Sequence, residues 1–357
     1  MAIPVPATET LPKADETNTK TEATSTTKSY VGPRVTEGNA QLLAMIGKFP
    51  GIDSEALSVA IDRQDKPYAQ HGIMPTVKGT DKKLRKLEAL GVVGKYENPS
   101  TKRRIYSLTK DGIAAAWSFG YNMEHCGSLH KTSKNRANHY QMIAHVAAQF
   151  ASPLGFFRES LGIEPVGIEG VISEHEMRGA YEPIKESLKK RSAKGESGDF
   201  GKWRIAAMQH AIKMIKAGRL DWVDVTESLP GLLTIGQPAI EEAQTKPVHQ
   251  PDLAIIADHN RTGREAKNLL VEIELNKKSW EDYERILRTY KAELDHGFIY
   301  ERAVYFTIGT QVETLLRKVD KAIGANLFES GRLVVLPLTH RDGTPVRFEK
   351  RITIGGN

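Results

Sequence analysis

Three carboxylates and two lysines stand close together in the C-terminal half of the chain. Asp252 follows Pro251 at the head of an apolar run, HQPDLAII. Glu272 and Glu274 lie inside a second apolar run, NLLVEIEL, and Lys277 and Lys278 follow it. Each run reads as a short buried strand. A buried strand does not carry acids inward for stability, because an unpaired buried carboxylate costs several kcal/mol, roughly. Residues two apart on a strand share a face, so Glu272 and Glu274 point together. With Asp252 on a neighbouring strand, three carboxylates converge, and such a cluster suits a hard cation, Mg²⁺ or Mn²⁺. A metal so held polarises a phosphodiester and generates hydroxide, while a lysine neutralises developing charge. Lys278 keeps the facing parity of 272 and 274 if the strand extends.

The flanking elements are legible. Gly263 and its polar neighbours predict a turn between the two strands. Ser279, with Asp282 three residues on, predicts the cap of a helix over 280–294. A strand over 303–308, a helix over 311–322 and a strand over 332–338 follow. Upstream, a helix is expected over 138–150, with Met142, Ile143, Val146 and Phe150 as its apolar stripe. His139 and His145 read as surface or core histidines of that helix. A strand is expected over 166–172 and a helix start at Ser173–Glu176. The glycine-bearing, polar stretch 185–204 reads as a mobile loop. His125, Cys126 and His130 lack a fourth partner and match no standard metal spacing.

The order of helix, acidic strands, helix and strand, with its "PD…ExE…K" pattern, resembles the PD-(D/E)xK nuclease superfamily. More narrowly, "VISEHEMRG", "HQPDLAII" and "VEIELNKKSWEDYERILRTYK" resemble the replication-relaxation family of plasmids, phages and other mobile elements. The resemblance implies a restriction-endonuclease-like α/β domain and DNA binding tied to replication control. It matches Pro251 and Asp252 to the PD element, and Glu272 and Glu274 to the acidic strand. Lys278, Ser279 and Tyr290 match the segment beyond it, and Glu174 the upstream helix acid, a further metal ligand. The pattern departs from the superfamily in its lysine. Two residues after Glu272 stands Glu274, and two after Glu274 stands Asn276, so Lys277 or Lys278 must supply the charge, with Lys291 a weaker substitute. An active Mg²⁺-dependent endonuclease or nickase and a degenerate, non-enzymatic DNA-binding regulator of replication or transcription both follow from this pattern.

Basic charge is concentrated elsewhere. From Lys78 to Arg104 there are nine basic and three acidic residues, an excess of +6 that equals the net charge of all 357 residues. Such a local excess is the footprint of a phosphate-binding surface. An apolar helix is expected near 41–46 and a second over 55–62, capped by Asp53-Ser54. A third, over 76–90, places Leu84, Leu87 and Leu90 on one face and Lys82, Arg85 and Lys86 on the other. A hairpin of strands 92–96 and 103–108 follows, then a helix from Thr109. Three helices closed by a basic hairpin predict a winged helix-turn-helix over 38–120. Lys78, Lys82, Lys83, Arg85, Lys86, Lys102, Arg103 and Arg104 would face double-stranded DNA.

The expected organisation is therefore a tail over 1–34, the winged helix over 38–120, a linker over 121–137 and the nuclease-like domain over 138–345. The tail carries eight threonines and four prolines and too few apolar residues to bury a core. A single cysteine excludes a disulfide scaffold and a Cys-based zinc site. No apolar run reaches membrane-spanning length, and the N-terminus lacks the basic and apolar regions of a signal peptide. A cytoplasmic protein is expected, and homodimerisation is open.

Overall fold

Helix α1, Glu37–Lys48, buries Leu42, Leu43, Met45 and Ile46 and ends before Pro50. Helix α2, Ser54–Ala60, is capped by Asp53, whose Oδ1 accepts the Ala56 N–H at 2.9 Å. In helix α3, Val77–Ala89, the Thr76 side chain accepts the Gly79 N–H and Leu84 and Leu87 point inward. Gly91, at φ +73°, turns the chain into strand β1, Val93–Glu97. It pairs antiparallel with β2, Arg104–Leu108, and Ile52 bridges to Tyr106 beside them. Helix α4, Lys110–Ser118, is capped by Thr109. A Cβ at Gly112 would lie 1.9 Å from the Val92 carbonyl, so only glycine lets α4 approach the hairpin this closely.

The computed structural model describes residues 35–60, 76–130, 132–152, 160–220, 225, 230–235, 250–257, 268–297 and 299–347. The expected tail, the end of the second helix at 61–62, His249 and the turn at Gly263 lie outside them.

Helix α5, Lys134–Ala151, connects the N-terminal helices to the sheet. Nearly every residue from Tyr140 onward is buried, because the helix packs on α2 and also on the sheet. It therefore buries polar side chains as well: Gln141, His145 and Gln149.

The sheet has five strands: β3 Val171–Ser173, β4 Leu253–Ile255, β5 Asn268–Glu274, β6 Tyr300–Thr307 and β7 Leu333–Pro337. They lie in that order. β3, β4 and β5 run antiparallel to their neighbours, and β5, β6 and β7 run parallel. Parallel neighbours need crossovers. Helix α8, Trp280–His296, makes the first and helix α9, Gln311–Ile323, the second. Tyr283, Leu287, Tyr290 and Leu294 of the first pack with Val312, Leu316 and Val319 of the second over the sheet. The fold is thus mixed α/β: N-terminal helices with a β-hairpin, then a five-stranded mixed sheet with helices. No helix among the described residues is long and apolar enough to cross a membrane.

Two expectations are corrected. The strand expected over 166–172 is confined to Val171–Ser173, after a turn at 167–170. Residues 185–204 are mostly helical. Helix α6, Glu174–Ser192, runs to Ser192, and helix α7, Phe200–Lys216, restarts after a short turn. Its polar composition is that of an exposed helix face laced by Glu182–Lys185 and Glu186–Lys189 pairs. Ser173 and Glu176 form a reciprocal capping box at its start, and Asp199 caps the next helix. Arg204 is buried and bidentate to Glu293 of α8, at 2.6 and 2.8 Å, with its Nε donating to the Leu232 carbonyl.

Candidate functional site

Asp252 lies one step before β4, next to the Leu253–Val271 pair that joins β4 to β5. Its Oδ2 accepts the Ile273 N–H at 2.8 Å and stands 3.2 Å from His139 Nε2, supplied by α5. The same nitrogen lies 3.0 Å from the Ile273 carbonyl. Burial opposes a charged imidazole, but the Asp252 charge and hydrogen bond, the Ile273 carbonyl and the Glu272 charge outweigh it. They lift His139 to about 9, so it is an imidazolium at neutral pH.

Glu272 and Glu274 are both buried on β5, as is Asp252 at its edge. Glu272 Oε1 accepts the Tyr290 hydroxyl at 2.8 Å. Glu274 pairs with Lys278, whose amide in turn donates to the Tyr283 hydroxyl. Burial raises the Glu274 pKa. Lys278 works against the rise, Glu272 and Asp252 add to it, and the net shift is upward. The same pair holds Lys278 above its ordinary value despite burial. Asp252, Glu272, Glu274 and Lys278 therefore share one electrostatic environment.

The other two residues of the expected site stand differently. Glu174 donates its amide to the Asp252 carbonyl at 3.2 Å, which fixes the start of α6 against β4. Its carboxylate turns to Arg178, and Arg178 Nε donates to Gln250. Lys277 is exposed and lines a separate cleft with Thr310, Thr314 and Lys318 at the head of α9.

A second cluster lies where α2 meets α5. Asp53, Glu55 and His145 form the one group among the described residues whose carboxylate and imidazole ligand atoms all lie within 4.8 Å of one another, and it could hold a metal ion. Asp53 Oδ2 accepts from Gln141 Nε2 at 2.7 Å, and Arg103 pairs with both Asp53 and Glu55. Gln141 Oε1 accepts from Asn98 at 2.6 Å and Thr101 at 3.1 Å, which ties the tip of the β1–β2 hairpin to α5. Glu55 Oε1 accepts the Arg341 amide and lies 3.1 Å from His340 Nδ1. Burial would raise Asp53, yet the His145 charge, the Ala56 amide and Gln141 hold it well below the usual carboxylate range. His145 is pushed up by Asp53 and Glu55 against its burial.

Of the basic residues read as facing DNA, Lys78, Lys82, Arg85, Lys86, Lys102 and Arg104 are exposed, and Lys83 is half-buried. Arg103 is turned inward to the Asp53–Glu55 pair just described. Lys102 adopts a left-handed backbone, φ 57°, at the hairpin turn and pairs with Glu97 at 3.3 Å.

Sequence reasoning passed over His139 and His145 as structural, and read Asp53 only as a cap. The available signal was in α5, where His139, Gln141, His145 and Gln149 interrupt a helix otherwise filled with apolar and small residues. His125, Cys126 and His130 form no such cluster. Cys126 contacts Met123, and burial with the Glu176 charge lifts its thiol to about 11.

Comparison of the chain with protein-family models, curated proteins and solved structures gives no match.

Proposed function

We propose that the chain is a double-stranded-DNA-binding protein whose β4–β5 carboxylates perform metal-dependent phosphodiester hydrolysis, as an endonuclease or nickase of a mobile element. The observation that carries this reading is the shared environment of Asp252, Glu272, Glu274 and Lys278 at the edges of β4 and β5. The element order supports it. Helix α5, antiparallel β3–β4–β5, crossover α8 and parallel β6 follow the helix, acidic strands, helix and strand order expected of the restriction-endonuclease-like core, with α6 and α7 inserted between β3 and β4. The three helices and hairpin before them follow the order of a winged helix-turn-helix, with basic residues on α3 and the hairpin.

The donor set fits a hard cation. Three carboxylates of one neighbourhood raise the proton affinity of Glu274, and a divalent ion relieves that repulsion. Asp252 and Glu272 would hold Mg²⁺ or Mn²⁺, with Glu274 beside them. Such an ion, when bound, activates water and screens the phosphate. The chain's own groups do the rest. His139 orients Asp252, the Ile273 amide fixes its second lone pair, and Lys278 neutralises charge on the scissile phosphate once it leaves Glu274.

A second reading has its own observation. Each carboxylate is already engaged, Asp252 by His139 and Ile273, Glu272 by Tyr290 and Glu274 by Lys278. Their ligand atoms do not close to the spacing found at Asp53, Glu55 and His145. That pattern favours a non-enzymatic regulator of replication or transcription on a nuclease-like scaffold.

Incubation of supercoiled plasmid with the protein and Mg²⁺ or Mn²⁺ separates the two. Relaxed circles with the native chain, and none with Asp252→Asn at equal DNA affinity, support hydrolysis. Intact plasmid in both metals, with DNA still bound, leaves the regulator. The DNA surface has a separate test. Replacing Lys82, Arg85 and Lys86 together by Ala should shallow the log–log salt slope of binding by about 0.9 for each phosphate no longer neutralised. An unchanged slope would place the surface elsewhere.

A further inference from the structure

We propose that Asp53, Glu55 and His145 form a Zn²⁺ site distinct from the β4–β5 carboxylates, which the ion enters by displacing Arg103. The donor set is one imidazole and two carboxylates, which suits Zn²⁺ rather than Mg²⁺. Ligand atoms around tetrahedral zinc stand about 3.3 Å apart, given bonds of about 2.0–2.1 Å. His145 Nε2 and Asp53 Oδ1 are 3.0 Å apart, and all three residues offer atoms within 4.8 Å of one another.

His145 supplies the independent observation. Its ring is buried, at 4% exposure, and Nε2 has no hydrogen-bond partner of acceptable alignment. Its approach to Asp53 is a contact of charges off the hydrogen-bonding direction. A buried ring nitrogen whose contact with a carboxylate is poorly aligned for a hydrogen bond, and which lies within 4.8 Å of ligand atoms from both acids, stands where a metal ligand would. The carboxylates have the necessary outer support. Asp53 accepts from the Ala56 amide and from Gln141, and Glu55 accepts from the Arg341 amide.

Arg103 is the group that gives way. It alone is seen to hold Glu55 Oε2, and its side chain is 40% exposed, so it can swing to solvent beside Lys102 and Arg104 without being buried elsewhere. The ion then joins α2 to α5 directly, at the point where the N-terminal helices meet the helix that packs on the sheet.

Equilibrium dialysis of the full chain against Zn²⁺, with the metal counted per chain, tests this. One ion per chain is expected. His145→Ala should weaken binding by more than about 100-fold, since loss of an outer-shell partner alone typically costs 10–100-fold. Arg103→Ala should tighten it, by about tenfold or more, because the competitor is gone. That gain cannot come from misfolding. In the Asp252→Asn chain, where any ion held by the β4–β5 carboxylates is lost, one Zn²⁺ that depends on His145 should remain, so failure of the β4–β5 reading does not touch this one. No bound Zn²⁺ in the native chain and in Arg103→Ala, or binding undiminished in a folded His145→Ala, overturns the site.

Discussion

The two polar clusters differ in how their charges balance. At α2–α5, Asp53 and Glu55 meet Arg103 and His145, two anions against two cations. At β4–β5, the three carboxylates of Asp252, Glu272 and Glu274 stand with the cations Lys278 and His139. The consequence appears in the carboxylates. Both acids of the first cluster are held below their ordinary values, while Glu274 of the second is pushed above its own. A balanced buried network holds its parts together. An overcharged one costs stability and keeps affinity for an external cation. The first cluster is a closed joint, which Zn²⁺ enters only by displacing Arg103, and the second is short of a cation as it stands.

Breaking the joint should have the largest effect. Asp53→Ala removes the α2 cap and leaves His145, Gln141 and Arg103 without the carboxylate they share. It should cost about 3–5 kcal/mol, the range for breaking a buried charge pair by deleting one partner. Asp252→Asn keeps a side-chain oxygen for the Ile273 amide and leaves His139 free to shed its proton, so it should cost less, about 1.5–3 kcal/mol, the worth of a hydrogen bond to a charged group. Urea denaturation of both variants measures the contrast. Equal losses would erase the distinction.

A smaller effect comes from pH. His139 rises from an ordinary 6.5 to about 9 in the folded chain. A raised histidine stabilises fully below its unfolded pKa, and that contribution is lost as pH climbs through the folded one. Stability should therefore fall between about pH 6.5 and 9, and His139→Gln should flatten that part of the profile. Histidine resonances in a metal-free sample should show one ring titrating near 9, and Asp252→Asn should move it down. A ring that titrates at its ordinary value would mean that Asp252 is not charged beside it.

The sequence was informative where contacts are local. Alternating acids on an apolar run marked Glu272 and Glu274, and period two carried them to one face. Ser279 and Asp282 marked the start of α8, and Thr76, Thr109 and Gly91 bounded the N-terminal elements. The joint was illegible because its members come from residues 53, 55, 103, 145 and 340, which only tertiary packing brings together. His139 escaped for the same reason: nothing near it in the chain announces Asp252, 113 residues away. The end of α6 was missed because a polar exposed helix turn lacks an apolar stripe, and the start of α7 because its inward stripe, Ala207, Met208, Ala211 and Ile215, lies beyond residue 204. Arg204 owes its burial to Glu293, 89 residues on.

The smallest expected effect has the opposite sign from the first. Glu274 is penalised in its charged form, first by burial and then by Glu272 and Asp252, and Lys278 only partly offsets this. A carboxylate raised in the fold loses stability as pH rises from its unfolded value through its folded one, because the unfolded chain sheds the proton first. Glu274→Gln never carries the charge. At neutral pH it should stabilise the fold by about 0.5–1 kcal/mol, in the manner of other replacements that relieve strain at a functional site. Lys278, 41% exposed on its side chain, can return to solvent without leaving a buried cation behind. The gain should vanish in acid, where Glu274 is protonated in both states, and the same variant should lose any stabilisation by Mn²⁺ that depends on this carboxylate. Paired melting curves at neutral and acid pH read the sign directly. A loss of stability at neutral pH would show that the Glu274–Lys278 pair outweighs the repulsion, and the β4–β5 cluster would then be a second joint.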